Sequence, residues 1–200
     1  MSFVLGAIFA GGTGRRLGGK DKGQLELDGK TFYSIVTNKL EPQTDQLVVI
    51  SPEPPVWLRH TQARHIPDVM VDELAIGPAG ALLAGLRELN SIDPTGTLLT
   101  APVDAPFFPD NLRDILADHL RSSGVAIVEA GGRQHPVFGL WSAQTLPEIE
   151  RLIIEDGERA LHQLVEKVGG SKVPIETTSS TFLNVNTPDD LAAAQKLASE

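Results

Sequence analysis

Phe3–Ala10 reads Phe-Val-Leu-Gly-Ala-Ile-Phe-Ala, apolar at every position. A strand without a polar face belongs in the middle of a parallel sheet covered on both sides by helices. This run opens directly into a loop holding Gly11, Gly12, Gly14, Gly18 and Gly19 together with Arg15, Arg16, Lys20 and Lys22. Glycines let backbone N–H groups crowd around a ligand, and clustered N–H groups form an anion-binding nest. The cationic side chains add charge where a phosphate would lie. A buried strand feeding such a loop points to a nucleotide phosphate site.

Two familiar phosphate loops are excluded at specific residues. Gly14-Arg15-Arg16-Leu17-Gly18-Gly19-Lys20 has Walker A spacing, but Asp21 stands where a Ser or Thr hydroxyl would hold Mg²⁺. The dinucleotide fingerprint fails because Leu17 occupies its third glycine position.

The remaining chain repeats the strand–helix theme. Thr31–Leu40 has helical spacing at Phe32, Ile35, Val36 and Leu40, and Gln46–Ile50 is a second strand. The Ala- and Leu-rich Gly77–Leu89 predicts a helix packed tightly on a sheet. Thr97–Thr100 is a third core strand, and Asn111–Leu120 an amphipathic helix. Val125–Glu129 and Val137–Trp141 flank a turn at Gly131-Gly132. Leu146–Ile154 and Arg159–Val168 are helical, while Lys172–Glu176 and Thr181–Leu183 read as short strands. Thr187-Pro188-Asp189-Asp190 starts a final helix, with a capping hydroxyl and acids at its positive end. The alternation predicts an α/β Rossmann-like three-layer sandwich, with a mostly parallel central sheet and helices on both faces. With 41% hydrophobic residues and no linker or repeat, residues 1–200 form a single expected domain.

Composition narrows the function. No apolar run approaches the length of a membrane span, and the N-terminus lacks the basic region of a signal peptide. The absence of cysteine excludes thiolate catalysis and cysteine metal sites and permits a cytoplasmic address. A net charge of −9 argues against a nucleic-acid surface. Four of the seventeen Lys and Arg residues fall between Arg15 and Lys22, a pattern suited to a small phosphorylated ligand.

In open α/β sheets, ligands bind beyond the carboxyl ends of the strands. Asp104 follows the third core strand and is bracketed by Pro102 and Pro106, which stiffen its backbone. A rigid carboxylate there is placed to hold Mg²⁺ against phosphate oxygens; an Asx turn is the alternative. Asp68 and Asp72 precede Gly77-Pro78, where either carboxylate could face a nucleotide. His135 could donate to a phosphate or ring, or serve structure. Asn184 and Asn186 share a face at alternate positions, either to read a heterocycle edge or to satisfy a turn.

Taken in order, Ala10-Gly11-Gly12 through Asp21-Lys22, Gly77-Pro78-Ala79-Gly80, Pro102–Pro106, His135-Pro136-Val137 and Asn184–Leu191 resemble the molybdenum cofactor guanylyltransferases, within the wider nucleotidyltransferases. The resemblance implies transfer of GMP from GTP to molybdopterin carrying molybdenum, with release of pyrophosphate and Mg²⁺ as cofactor. It implies a nucleotide cradle of Ala10, Gly11, Gly12, Thr13 and Gly14, with Arg16 and Lys22 on the phosphates. Asp104 would be the metal-binding acid and Asp72, preferred over Asp68 for its distance to Gly77, a nucleotide contact. Asn184 and Asn186 would lie on the pterin side, with His135 also assigned to molybdopterin. Recipient molybdoenzymes or other cofactor-synthesis proteins are the implied protein partners. One departure stands out: Val49-Ile50-Ser51-Pro52-Glu53 lacks the Asn many members use to read the base, leaving Ser51 or backbone groups for that task. The rival readings are a cytidylyltransferase of the same fold and a non-catalytic nucleotide-binding protein.

Overall fold

In the computed structural model, which describes residues 2–12, 21–61, 63–120, 123–176 and 181–198, strands and helices alternate as the patterning requires. Strand β1 (Val4–Phe9) is followed by β2 (Glu26–Leu27), β3 (Lys30–Thr31), helix α1 (Phe32–Leu40), β4 (Gln46–Ser51), β5 (Arg64–Pro67), β6 (Met70–Val71), β7 (Leu74–Ala75) and α2 (Pro78–Ile92). Next come β8 (Thr97–Pro102), α3 (Leu112–Ala117), β9 (Val125–Ala130), β10 (Arg133–Ser142), α4 (Leu146–Ile154), α5 (Leu161–Lys167), β11 (Ser171–Pro174) and α6 (Pro188–Ala198). A seven-stranded sheet has the order β11-β9-β10-β8-β1-β4-β5. Its neighbouring strands are parallel except where β10 runs against β8 and β9.

The apolar run of β1 is buried on both faces because each face meets its own helices. Leu5, Ala7 and Phe9 join the cluster containing Leu82 and Leu86 of α2, Ile149 of α4 and Leu164 of α5. Val4 and Ile8 join the opposite cluster, with Val36 and Leu40 of α1 and Leu112 and Leu116 of α3. Each large aliphatic side chain so buried contributes about 1.5–3 kcal/mol. A smaller third cluster, with Leu25, Leu27, Phe32, Val185 and Ala194, fastens α6 to the β2–β3 hairpin.

Small residues let α2 lie close on the sheet. A Cβ on Gly85 would come within 2.9 Å of Leu98, and one on Gly80 within 2.5 Å of the Val69 carbonyl oxygen. Gly77, at φ +64 and ψ −147, turns the chain into this helix through a region essentially reserved for glycine. At α6, Thr187 accepts from the Asp190 amide (3.2 Å), while the Asp190 carboxylate accepts from the Thr187 amide (2.9 Å). This reciprocal capping box realises the expected helix start.

The structure departs from the sequence expectations in three places. The helix expected over Asn111–Leu120 is confined to Leu112–Ala117, and Asn111 supplies no side-chain cap. Thr181–Leu183 is not a strand: Phe182 takes φ +65 and turns the chain. Two short hairpins also interrupt the strand–helix alternation. One turns at Asp28-Gly29 (φ +48 and +71), and the other at Asp72-Glu73 (φ +51 and +62). Asp-Gly is a strong tight-turn signal, whereas Asp-Glu carries no comparable one. No helix among the described residues is long and apolar enough to cross a membrane.

Candidate active site

The carboxyl ends of the parallel strands gather the polar residues. The β1 exit is tied to both neighbours: the Ala10 amide donates to Ile50 O (2.8 Å), and the Val103 amide to Phe9 O (3.0 Å). Gly12 takes φ +138, a conformation L side chains rarely adopt. The candidate residues Thr13, Gly14 and Arg16 lie outside the described residues. The chain returns at Asp21, whose carboxylate accepts from the Gly23 amide (3.0 Å) and caps the single turn Lys22–Gln24. Gly23 lies flush against the Trp57 indole, where a Cβ would approach to 2.7 Å. Lys22 therefore projects from a turn held on two sides.

The Lys22 ammonium joins three distant parts of the chain. It donates to Asp104 Oδ2 at 2.6 Å and to Asn186 Oδ1. The Lys22 and Asp104 side chains are each 15% exposed, so their charges are shielded from water yet remain accessible. The Val185 amide donates to Asp104 O (2.8 Å), fastening the Asn184–Asn186 segment to the end of β8. This position explains why prolines bracket Asp104: its carbonyl and carboxylate both make long-range bonds, so its backbone must hold one geometry.

A cavity of about 290 Å³ opens beside this junction, lined in part by Gly11, Pro78, Asp104, His135, Asn184 and Asn186. Its far wall comes from β10, which extends beyond the end of its antiparallel partner β8 and whose register slips between His135 and Gly139. The Thr100 hydroxyl fills the irregularity, donating to Val137 O (2.7 Å) and accepting from the Gly139 amide (3.2 Å). Burial holds the His135 pKa below its usual 6.5, leaving a largely neutral imidazole at pH 7. Recesses of about 420 and 510 Å³ lie elsewhere, and neither is lined by Asp104, His135, Asn184 or Asn186.

The structure separates Asp68 from Asp72, and neither lines this cavity. Asp72 is exposed in the left-handed turn of the β6–β7 hairpin and is not among the residues lining this cavity. Asp68, just past the end of β5, faces Gly11. A Cβ built on Gly11 would lie 3.7 Å from Asp68 Oδ2. Asp68 is only 8% exposed, its Oδ1 has no hydrogen-bond partner among the described residues, and burial pushes its pKa up to about 6. Asp72, although nearer Gly77 along the chain, is carried away from the strand end by the β6–β7 hairpin. Ser51, the side chain the sequence offers at the end of β4, is inward-facing. It is 2% exposed, and its hydroxyl donates to Glu53 O (2.8 Å) beside His65 Nε2 (3.1 Å). The Ser51 hydroxyl is thus engaged within the protein.

With a mostly parallel sheet and Asp104 placed just after β8, the chain is a nucleotidyltransferase by the family it matches. A family model described as a MobA-like NTP transferase domain matches residues 6–170. A molybdenum cofactor guanylyltransferase from Cereibacter sphaeroides is 35% identical over 195 residues, covering 97% of this chain and 96% of that protein. A protein of the same name from Haemophilus influenzae is 35% identical, covering 94% of this chain and 95% of its own length. The chain belongs to the molybdenum cofactor guanylyltransferase family. Two solved structures share the fold at lower identity. The molybdopterin-guanine dinucleotide biosynthesis protein A of Archaeoglobus fulgidus has a TM-score of 0.74 at 24% identity, covering 98% of both chains. The 4-diphosphocytidyl-2C-methyl-D-erythritol synthase of Anaerococcus prevotii reaches the same TM-score at 14% identity, covering 100% of this chain and 97% of its own.

Proposed function

We infer that this chain transfers GMP from GTP to molybdopterin carrying molybdenum, giving molybdopterin guanine dinucleotide and pyrophosphate. Within the site, the observation that carries the reading is Lys22, which bridges the Asp104 carboxylate and the Asn186 amide at one cavity. We assign GTP to the glycine-loop side, with Ala10, Gly11, Gly12, Thr13, Gly14, Arg16 and Lys22 as its phosphate contacts. Asp68 replaces Asp72 as the acid beside the nucleotide. Molybdopterin takes the side formed by His135, Asn184 and Asn186.

A terminal phosphate oxygen of molybdopterin forms a bond to the α-phosphorus of GTP as the bond to the β-phosphate breaks. The electron pair leaves with pyrophosphate. The attacking oxygen is already anionic near neutral pH, so no strong base is needed. The barrier lies in bringing anions together and in the charge that develops on the leaving group. Lys22 meets both demands, because its ammonium stands between the two substrate sides and can move from protein oxygens to phosphate oxygens. The neutral His135 can donate a hydrogen bond to the acceptor without drawing the phosphate into an ion pair. Positioning by the Asn184–Asn186 segment supplies much of the remainder.

Asp104 suits Mg²⁺. It offers a hard carboxylate oxygen at the cavity wall, and no cluster of three or more potential metal ligands occurs among the described residues. Mg²⁺ ordinarily takes one or two carboxylates together with substrate phosphates, rather than an all-protein cage. When bound, the metal supplies charge neutralisation and electrophilic support at the phosphates. We place this chemistry in the cytoplasm, with product passing to molybdoenzymes.

Pyrophosphate release, measured with GTP and with CTP in the presence of molybdopterin, tests the assignment. GTP should support turnover and CTP little. A preference for CTP would make the chain a cytidylyltransferase, and no release with either would leave a nucleotide-binding protein.

A further inference from the structure

Phe182 is a bulky residue at φ +65, a conformation that such side chains rarely adopt. Strain of this kind persists only where the surroundings over-determine it, and it gathers at functional sites. Here both the ring and the backbone have identifiable tasks. The ring is 2% exposed. It meets the Phe138 ring edge-on at 4.9 Å and lies 5.6 Å from the His135 ring. Phe138 in turn packs on Phe108 at 5.5 Å. Phe182 thus backs the wall of the acceptor cavity through His135 and Phe138, both of which line it.

The backbone turns at Phe182 and passes from one hydrophobic cluster to another. Phe182 is buried with the cluster of α1 and α3, and Val185 with that of α6. Between these anchors Asn184 stays exposed, and immediately after them Asn186 accepts from Lys22. A right-handed or extended residue at position 182 would send Leu183 along another path, and the two amides would lose their shared outlook on the cavity.

We propose that Phe182 is a positioning residue for the acceptor substrate. Its strained backbone sets the Asn184–Asn186 segment, and its ring fixes the plane of His135. The proposal rests on the assignment of this cavity to molybdopterin. Phe182 is not itself among the residues lining the cavity, so it acts through its neighbours.

The test compares the intact wild-type chain with Phe182→Leu, Phe182→Tyr and Asn186→Ala. Dissociation constants for GTP and for molybdopterin are measured separately, alongside KM for each. KM is informative because a smaller folded fraction lowers the apparent kcat and leaves KM unchanged. Phe182→Leu should weaken molybdopterin roughly tenfold, the scale of a displaced positioning group, with GTP held within about twofold. Phe182→Tyr, which keeps the aromatic ring, should restore most of that loss. If Phe182→Leu does not fold, Phe182→Met keeps the apolar volume without the ring and should show the same selective loss. Unchanged molybdopterin binding in Phe182→Leu, or equal weakening of both ligands, overturns the proposal. If Asn186→Ala leaves molybdopterin binding intact, the cavity assignment itself fails and the role of Phe182 falls with it. If Asn186→Ala weakens molybdopterin while Phe182→Leu does not, only the role of Phe182 is lost.

Discussion

The two sides of the cavity, to which we assign the nucleotide and the acceptor, are built in different ways. On the nucleotide side, parallel strands β1, β5 and β8 deliver Gly11, Asp68 and Asp104 at their carboxyl ends. Hydrogen bonds between neighbouring strand exits tie these residues to the sheet. On the acceptor side, His135 comes from an irregular antiparallel strand, and Asn184 and Asn186 from a loop pinned at Phe182 and Val185. The first side inherits its geometry from the fold, whereas the second depends on a few packed side chains. Losses on the nucleotide side should therefore damage chemistry, and losses on the acceptor side should damage one substrate's affinity. Lys22 belongs to both sides, and substitutions ordered by expected effect can break or sharpen this division.

Asp104→Asn should be the most severe. The isosteric change keeps the fold but removes the negative charge a hard cation prefers. Turnover should fall by at least about a hundredfold, the scale seen when one electrostatic stabiliser is lost. Pyrophosphate release across a Mg²⁺ titration, with a thermal melt as control, measures it. Near-normal turnover with unchanged Mg²⁺ dependence would reduce Asp104 to a turn residue.

Lys22→Ala should come next and cross the division. Loss of a charge-assisted contact costs about 1.5–3 kcal/mol, and GTP affinity and turnover should fall together. The variant also leaves the shielded Asp104 carboxylate without its countercharge, so the melting temperature should drop as well. Unaltered kinetics in the purified variant would remove Lys22 from the site.

Asn186→Ala should respect the division, costing molybdopterin affinity about 0.5–1.5 kcal/mol while largely sparing GTP. Calorimetric titration with each ligand alone decides this. A selective loss of GTP binding would put the loop on the wrong substrate.

Asp68→Asn should have the smallest effect on stability, but a distinctive pH signature. Burial raises the folded pKa to about 6 from an ordinary 3.8, so the folded state binds more protons than the unfolded state between those values. Stability therefore falls as pH rises through that window. Removing the carboxyl should relieve this penalty above pH 6 and change little below pH 3.8, the two ends of that window. Melting temperatures of both proteins from acid to neutral pH should diverge as pH rises. Parallel curves would mean Asp68 titrates normally in the folded chain.

Much of this architecture was legible in the residues. The apolar run of β1, the small-residue face of α2 and the Thr187–Asp190 cap are local signals, and each produced the expected element. Legibility failed where the relevant neighbour is remote. Asp68 and Asp72 look alike in sequence, and only the hairpin that carries Asp72 outward separates them. Phe182 lies in a stretch whose composition suggests a strand, yet packing against Phe138 and His135 stabilises a left-handed turn instead.

By itself, the chain's sequence determined a layered α/β fold with a glycine-rich segment after its first strand, because hydrophobic period and capping chemistry act between residues a few positions apart. Only the tertiary structure decided that Lys22 meets Asp104, 82 residues away, and Asn186, 164 residues away. Those bonds depend on where strand ends and a pinned loop converge in space, and no local period encodes that convergence.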